Sequence, residues 1–375
     1  MSFDDSQYTV STTGEASLGH RGRFVHDTLK PSRRPSTICQ QVVVVWRVHE
    51  FCSLGCQFCG YSRELKWPRR TADPRQVLDF GRVLRDIQQC HSELVLVSWL
   101  GGEPLAWTEL AQLSHIFCHD YGLSLGVTTN GLPLASSRTR RSLLSDYRQV
   151  TISIDGLAPF HDQVRGQAGL FERLQRAVGR LRDEDRGDRL WRRVNTVLMR
   201  GNVEAFGEFC EAMADWGFHE LTFNALGGNE RPEFFAANHL LPQQVRRFAA
   251  ELPSLQERMA GRGLRIRGGA RYLDRIEALA LGRQVSVDDC HPARKFLFVD
   301  AQGRISPCSF STREYGIPLG EVRSAAEFLE LPHRFRQLRS QFRLAACCDC
   351  RATHPFDKFK GESRVQDQPK TETPC

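Results

Sequence analysis

Between residues 41 and 226 the chain alternates short apolar runs with amphipathic stretches, and no other feature narrows its fold as much. The apolar runs, read as strands, are Gln41 to Val48, Leu94 to Leu100, Leu123 to Thr129, Gln149 to Ile154, Arg193 to Leu198 and Glu220 to Asn224. From Pro74 to Cys90, the residues Val77, Leu78, Phe80, Val83, Leu84 and Ile87 recur at helical spacing. Asp73 supplies the N-cap there, and Pro74 the first helical position. Thr108 to Tyr121, Ser136 to Tyr147, Leu170 to Arg182 and Val203 to Trp216 repeat the pattern. Strands alternating with helices imply a parallel sheet covered by helices, and right-handed crossovers curl it in one sense. Six such units do not close an eight-stranded barrel. The expected fold is therefore α/β, a partial (β/α)6 barrel. Its active loops lie at the C-terminal ends of the strands.

The first strand leads straight into a cysteine run. Val42-Val43-Val44-Val45-Trp46 is followed by His49-Glu50-Phe51-Cys52-Ser53-Leu54-Gly55-Cys56-Gln57-Phe58-Cys59, a Cys-x3-Cys-x2-Cys spacing. Three thiolates on one short loop can hold three irons of a [4Fe–4S] cube. Four thiolates would fill it, so one iron stays open to a reactant. A zinc knuckle is the alternative, with His49 as fourth ligand. Zinc, however, favours four ligands in paired Cys-x2-Cys or Cys/His sets, and His49 is expected to face the core or solvent at the strand end.

Composition limits the setting. The chain has 375 residues, a hydrophobic share of 41% and a net charge of +7. Its basic runs, Arg138-Thr139-Arg140-Arg141 and Arg192-Arg193, are too short to make a nucleic-acid surface. No N-terminal stretch reads as a signal peptide, and no run approaches the roughly 18 apolar residues of a membrane span. Thirteen cysteines without an export signal point to a reducing cytoplasm, where close cysteines bind metal rather than pair. Cys39, Cys90, Cys118 and Cys210 are isolated and read as ordinary thiols.

Three further motifs follow strands. The second strand ends in Gly101-Gly102-Glu103-Pro104, and the third in Thr128-Thr129-Asn130-Gly131. The fourth gives Ser153-Ile154-Asp155-Gly156, then His161-Asp162-Gln163-Val164-Arg165. With the three-cysteine loop, this set resembles the radical S-adenosylmethionine (radical SAM) superfamily over about residues 41–352. The resemblance implies that the open iron chelates the amino and carboxylate groups of SAM. One electron then cleaves SAM to methionine and a 5'-deoxyadenosyl radical, which takes hydrogen from a substrate. It implies that Gly101, Gly102 and Glu103 bind the SAM amino group. Ser153 contacts SAM, and Arg165 pairs with its carboxylate through a guanidinium able to donate two parallel hydrogen bonds. Asn130 belongs to the same SAM-binding set. Asn195 would reach the ribose or methionine portion, and adenine would lie near Phe58 and Tyr61. Plainer readings stay open: Asn130-Gly131 is also a good turn, Arg165 an ion-pair residue, and Phe58 and Tyr61 core packing.

Cysteines return near the C-terminus, after a helical bridge of Gln243 to Met259 and Ala270 to Leu281. Lys295 to Val299 and Arg304 to Cys308 read as a hairpin turning at Ala301-Gln302-Gly303, which would bring Cys290 and Cys308 together. Ala346-Cys347-Cys348-Asp349-Cys350 adds a Cys-x2-Cys pair. Cys-x12-Gly-x4-Cys followed by Cys-x2-Cys resembles the start of the superfamily's SPASM domain, but residues 351–374 hold no further cysteine. That fits the shortened relative called Twitch, a small α+β domain. It implies one auxiliary [4Fe–4S] cluster on Cys290, Cys308, Cys347 and Cys350, with Cys348 possible in place of Cys347. Two cysteine pairs also suit zinc. The expected segments are an irregular leader (1–40), the radical SAM core (41–240), a helical bridge (241–284), the auxiliary-cluster domain (285–352) and a flexible tail (353–375).

The favoured activity is hydrogen abstraction from a small natural-product intermediate: a sugar, cyclitol, nucleoside or amino acid derivative. Net oxidation or rearrangement would follow. A single auxiliary cluster and a leader too short for peptide recognition motivate this. One alternative is maturation of a ribosomally made peptide by cross-linking or epimerisation, which the Ser153-x-Asp155-Gly156 signature keeps open. The other is a non-catalytic metal-binding scaffold. Two [4Fe–4S] clusters, SAM and an electron donor such as flavodoxin or ferredoxin are the implied cofactors and partners. His49, Asn224, Glu230 and Arg294 are the candidates facing the barrel mouth, and none can be assigned as the acid or base.

Overall fold

The computed structural model describes residues 41–91, 94–356 and 358. The expected leader, 1–40, and the tail beyond 358 lie outside the described residues. Six strands run parallel in chain order: β1 (Gln41–His49), β2 (Leu94–Gly101), β3 (Ser124–Thr129), β4 (Gln149–Ser153), β5 (Trp191–Leu198) and β6 (Glu220–Ala225). Helices α1 (Pro74–His91), α2 (Leu110–His115), α3 (Ser137–Asp146), α4 (Ala158–Arg165), α5 (Leu170–Glu184) and α6 (Phe206–Asp215) fill the connections. This is the α/β half-barrel that the periodicity implies. The stretch read as one helix from Thr108 to Tyr121 changes pitch instead: α2 widens into a π turn at Ile116–Asp120. The short helix α4, which carries His161 and Arg165, has no counterpart in the sequence reading.

Alternation along β1 separates two environments. Val42, Val44, Trp46 and Val48 are buried against the helices, where Trp46 meets Phe80 and Trp99 with ring centres 5.6 and 5.8 Å apart. Val43, Val45, Arg47 and His49 are half-buried and point to the opposite, inner face of the sheet.

Past β6 come α7 (Pro232–Asn238), α8 (Pro242–Gly261), β7 (Arg265–Ile266) and α9 (Ala270–Ala280). The two residues of β7 extend the sheet beside β6. The chain then crosses to the other edge. β8 (Phe296–Val299) pairs parallel with β1, Val45 opposite Phe298, and so covers an otherwise open edge. β9 (Arg304–Ser306) and β10 (Ile317–Pro318) follow antiparallel, giving the order β10-β9-β8-β1-β2-β3-β4-β5-β6-β7. Asp300 closes the β8–β9 turn by accepting from the Gln302 and Arg304 amides. The remaining helices are α10 (Thr312–Tyr315), α11 (Ala325–Leu329), α12 (Leu331–Gln341) and α13 (Ala345–Cys348).

The tail expected to be flexible from residue 353 begins ordered. His354–Phe356 forms a 3-10 turn, and Phe356 and Lys358 are buried. Lys358 Nζ donates to Asn224 Oδ1 at 2.7 Å, inside the barrel. A buried aromatic and a buried, hydrogen-bonded ammonium hold this segment, where composition alone reads as polar tail. No helix among the described residues is long and apolar enough to cross a membrane.

Candidate active site

The first cysteine loop is gripped from two sides. At the end of β2, the Gly102 amide donates to His49 O at 2.7 Å and the Glu103 amide to Phe51 O at 2.8 Å. A Cβ on Gly102 would sit 2.5 Å from Phe51 O, and one on Gly101 would collide with His49 O. The close approach these glycines permit is to the cysteine loop's own backbone, not to a ligand. From the other side, the Gln57 amide donates to Val164 O at 3.1 Å. Arg63 ties Ser53 O to Gly166 O. Gly166 has φ of +65°, and a Cβ there would meet Gly55 O at 2.7 Å.

Each sulfur of the loop has a donor. Asn130 Nδ2 lies 3.5 Å from Cys52 Sγ, the Tyr61 amide 3.3 Å from Cys59 Sγ and Arg165 Nη1 3.9 Å from Cys56 Sγ. Burial still pushes the Cys59 thiol up to about 12 and the Cys56 thiol upward, the latter against the pull of Arg165. Thiolates here need a cationic partner, which bound iron supplies. The donor set therefore suits a metal group. Among the described residues, the trio whose ligand atoms fall within 4.8 Å of one another is His115, His119 and Asp146. The cysteine sets are not drawn to that spacing, whereas a lone zinc about 2.3 Å from each sulfur demands tighter contact. A larger cube, which spreads its ligands further apart, suits the first loop better.

Glu103 is 2% exposed and accepts from Thr129 Oγ1 (2.8 Å), the Asn130 amide (2.7 Å) and the Leu105 amide (3.1 Å). A carboxylate has about four acceptor positions, so roughly one remains. Burial raises its carboxyl to about 7 despite these donors. Its contacts are all neutral donors; an ammonium such as that of SAM would hold its charge.

Two expected SAM contacts arrive already partnered. Arg165 Nε donates to Asp155 Oδ2 at 2.7 Å, both side chains being buried. Burial opposes the Arg165 charge, but Asp155 and Cys56 hold its pKa above the usual range. Its Nε is thereby taken by Asp155, and its Nη1 faces Cys56. Asn195 Oδ1 accepts from Thr222 Oγ1 and Asn224 Nδ2. The hydroxyl of Ser153, half-buried at the end of β4, makes no hydrogen bond among the described residues. Phe58 lies under the Arg165 guanidinium, 5.3 Å from its carbon, and Tyr61 under that of Arg47. Of the side chains expected at the mouth, His49 bonds Thr71 and Arg294 is exposed. Glu230 Oε2 accepts from the Gly60 amide at 2.5 Å, immediately after the cysteine loop.

Sequence reasoning gave no role to Asp155. Its Oδ1 accepts from the Val197 amide at 2.9 Å while Oδ2 holds Arg165, so it joins β4, β5 and α4 beneath Cys56. Its place in the Ser153-x-Asp155-Gly156 run was the available signal. Arg47 was also missed, although the alternation of β1 turns it inward.

Cys290, Cys308, Cys347 and Cys350 line one small cavity, while Cys348 is exposed and does not. Arg339 Nη1 lies 3.1 Å from Cys290 Sγ, and Ser311 Oγ 3.4 Å from Cys308 Sγ. Burial raises the Cys350 thiol to about 11 and the Cys290 and Cys308 thiols upward. A larger cavity of about 370 Å³ lies between this set and the inner face of the barrel. Val45, Leu100, Asn224, Phe298 and Cys308 are among its walls.

Comparison with known proteins agrees with this geometry. Residues 46–231 match the radical SAM superfamily. Over 325 residues the chain is 24% identical to the mycofactocin maturase MftC of Mycolicibacterium smegmatis, covering 85% of this chain and 77% of that one. It is 23% identical over 320 residues to the AdoMet-dependent heme synthase of Methanosarcina barkeri, covering 82% and 87%. Solved structures share the fold. They include anSMEcpe with bound AdoMet and Cp18Cys peptide (TM-score 0.57, 18% identity, 84% of this chain and 87% of that one). Streptococcus suis SuiB bound to S-adenosylmethionine is another (TM-score 0.55, 18% identity, 72% of this chain). The chain spans only 61% of SuiB's length. A half-barrel with three cysteines after its first strand and a Gly-Gly-Glu after its second thus belongs to the radical SAM superfamily of [4Fe–4S]- and S-adenosylmethionine-dependent enzymes.

Proposed function

We propose that this enzyme modifies a ribosomally made peptide, removing a hydrogen atom from one of its residues. Three of the four relatives named above favour a peptide over the small-molecule substrate that the sequence favoured; the heme synthase does not. MftC is a maturase by name, SuiB is solved bound to the precursor peptide SuiA, and anSMEcpe with the Cp18Cys peptide. The observation that carries the reading is the cavity of about 370 Å³ between the second cysteine set and the inner face of the barrel. Its volume lies in the range of ligand pockets, several hundred Å³, and is enough for a side chain with its neighbouring backbone.

In this reading Cys52, Cys56 and Cys59 hold the first cube, and Glu103 receives the SAM ammonium. Gly101 and Gly102 lock that carboxylate to the cysteine loop. Ser153 offers its unused hydroxyl to SAM, and Asn130 steadies Cys52. Arg165 balances Cys56 from its pairing with Asp155, and Asn195 orders the inner face with Asn224. Phe58 and Tyr61 keep water from the loop. When bound, the cube and SAM supply a 5'-deoxyadenosyl radical able to abstract hydrogen. Cys290, Cys308, Cys347 and Cys350, within the auxiliary unit 285–352, hold a second [4Fe–4S] cluster with no open iron, suited to electron transfer. A flavodoxin or ferredoxin feeds the first cube.

Anaerobically reconstituted protein, SAM and dithionite are incubated with peptides encoded beside this gene and, separately, with sugars, cyclitols, nucleosides and amino acid derivatives. Peptide-dependent 5'-deoxyadenosine with a changed peptide mass is the expected result. Substrate-dependent 5'-deoxyadenosine from a small molecule, with every peptide inert, would sink the reading.

A further inference from the structure

Arg47 is a cation without a counterion. It shares the inner face of β1 with Val45, a wall of the large cavity, and Val45 is registered opposite Phe298, another wall. The guanidinium carbon lies 4.8 Å from the Phe298 ring centre and 5.0 Å from that of Tyr61. A guanidinium has five N–H donors, yet Arg47 makes no hydrogen bond and no ion pair among the described residues, and its Nε is buried with no partner. Other poorly exposed arginines are ion-paired: Arg165 with Asp155, Arg193 with Glu220 and Arg275 with Asp349. Two aromatic faces return only part of what a carboxylate partner would return to such a charge. Buried or half-buried charges are otherwise paired.

The cavity walls share this imbalance. No aspartate or glutamate lines the cavity, while Arg275 and Arg351 do, and those two share the single carboxylate of Asp349. Phe296, Phe298, Phe310 and Tyr272 supply much of the rest. The site is thus apolar, aromatic and positively charged. A planar guanidinium held between two rings is pre-oriented to grip a carboxylate with parallel hydrogen bonds. Tyr61, one of those rings, also donates its amide to Cys59 Sγ, which sets the gripped group beside the first cysteine loop.

We propose that Arg47 anchors a carboxylate of the substrate. The peptide entering this cavity then carries a free carboxylate, from an aspartate or glutamate side chain or from its C-terminus, next to an apolar or aromatic group. The word peptide rests on the function proposed above; the carboxylate preference does not.

The probes are 3-phenylpropionate and its uncharged amide, 3-phenylpropanamide. They are titrated by ligand-observed NMR into reconstituted enzyme holding saturating SAM and no reductant. The wild type should bind the carboxylate at least tenfold more tightly than the amide. Arg47→Gln should lose that preference and Arg47→Lys should recover part of it, with iron and sulfide content reporting whether each variant is folded. Phe298→Leu, which keeps the charge and removes one ring, should keep the preference and guards against a misfolded Arg47→Gln. Equal binding of the two probes by the wild type overturns the inference, as does a preference that survives Arg47→Gln. If Arg47→Gln weakens SAM and leaves 3-phenylpropionate unchanged, Arg47 serves SAM and the inference also falls.

Synthetic peptide pools then separate the sources: free C-terminus without acidic residues, amidated with Asp and Glu, and amidated without either. Turnover in either carboxylate pool and not in the third supports the proposal and says which carboxylate is used. Turnover alike in all pools sinks the carboxylate anchor alone. A probe preference with every pool inert sinks the peptide reading and leaves the anion site standing.

Discussion

The two cysteine sets are built in opposite ways. The first comes from eight consecutive residues, Cys52 to Cys59, and backbone bonds from the ends of β2 and α4 shape it. The second is gathered from Cys290, Cys308, Cys347 and Cys350, and depends on the β8–β9 hairpin, on Arg339 of α12 and on the one-turn helix α13. The closure entropy of the second is larger, though it grows slowly, by about 0.6 kcal/mol per doubling of loop length. The first set is a local device clamped by neighbouring backbone; the second is a tertiary one gathered by the fold. The difference separates what each set does from what each contributes to stability.

Cys56→Ala tests it most severely. Wild-type protein should hold about eight irons, four per cube. Cys56→Ala should lose about half of them and all SAM cleavage, a fall of at least a thousandfold read as 5'-deoxyadenosine. Cys308→Ala should lose a similar share of iron and yet keep far more SAM cleavage than Cys56→Ala. If both abolish cleavage equally, the functional division between the sets is gone.

Asp155→Asn comes next. It strips the carboxylate from a pair 2.7 Å apart whose side chains are 9% and 0% exposed, leaving the Arg165 charge buried beneath Cys56. Removing one partner of a buried pair costs about 3–5 kcal/mol, to be read by anaerobic denaturant unfolding. Asp349→Asn, near the second set, should cost less, because the Asp349 side chain keeps 21% of its exposure. Equal losses would mean that the two sets are held equally tightly.

Glu103→Gln should act on ligand affinity. Hydrogen bonds to a charged group are worth about 1.5–3 kcal/mol, so SAM should bind at least tenfold more weakly, measured by equilibrium dialysis. The pH dependence has a defined sign. Burial lifts this carboxyl from 4.5 to about 7 in the ligand-free protein. The folded pKa exceeds the unfolded one, so the stabilising contribution present below about 4.5 is lost as pH rises through about 7. SAM binding, which wants the ionised form, should strengthen over that window and level off above it. Glu103→Gln should flatten both trends.

Much of this was legible in the chain. β1 to β6 begin and end within two residues of the apolar runs, because alternation and periodicity report burial directly. The three-cysteine loop and the motifs after β2, β3 and β4 were visible because each is contiguous. Contacts between distant segments were not. Nothing local says that Gly101 is required by His49 O, that Glu103 is spent on Thr129 and Asn130, or that Asp155 holds Arg165. The pairing of β8 with β1 depends on an edge that exists only once the barrel has formed. Lys358 sits in a stretch polar enough to read as tail, and its burial comes from a partner 134 residues earlier. Arg47 lay within reach of the sequence: β1 alternates cleanly, and an inward arginine needed only to be asked what it faces.

The finest test is Cys348→Ala, expected to change nothing. Cys347 and Cys348 are adjacent on α13, and the sequence offers either to the second set. One residue along a helix turns a side chain by about a quarter of a turn or more. Cys347 therefore lines the cavity with Cys290, Cys308 and Cys350, while Cys348 is directed outward. Cys347→Ala should lose iron much as Cys308→Ala does, and Cys348→Ala should match wild type in iron content, electron paramagnetic resonance and denaturation midpoint. If Cys348→Ala loses iron and Cys347→Ala does not, α13 sits one residue out of register when the cluster is bound. The second set would then be shaped by its metal rather than by its fold, which is the reverse of how the first loop is held.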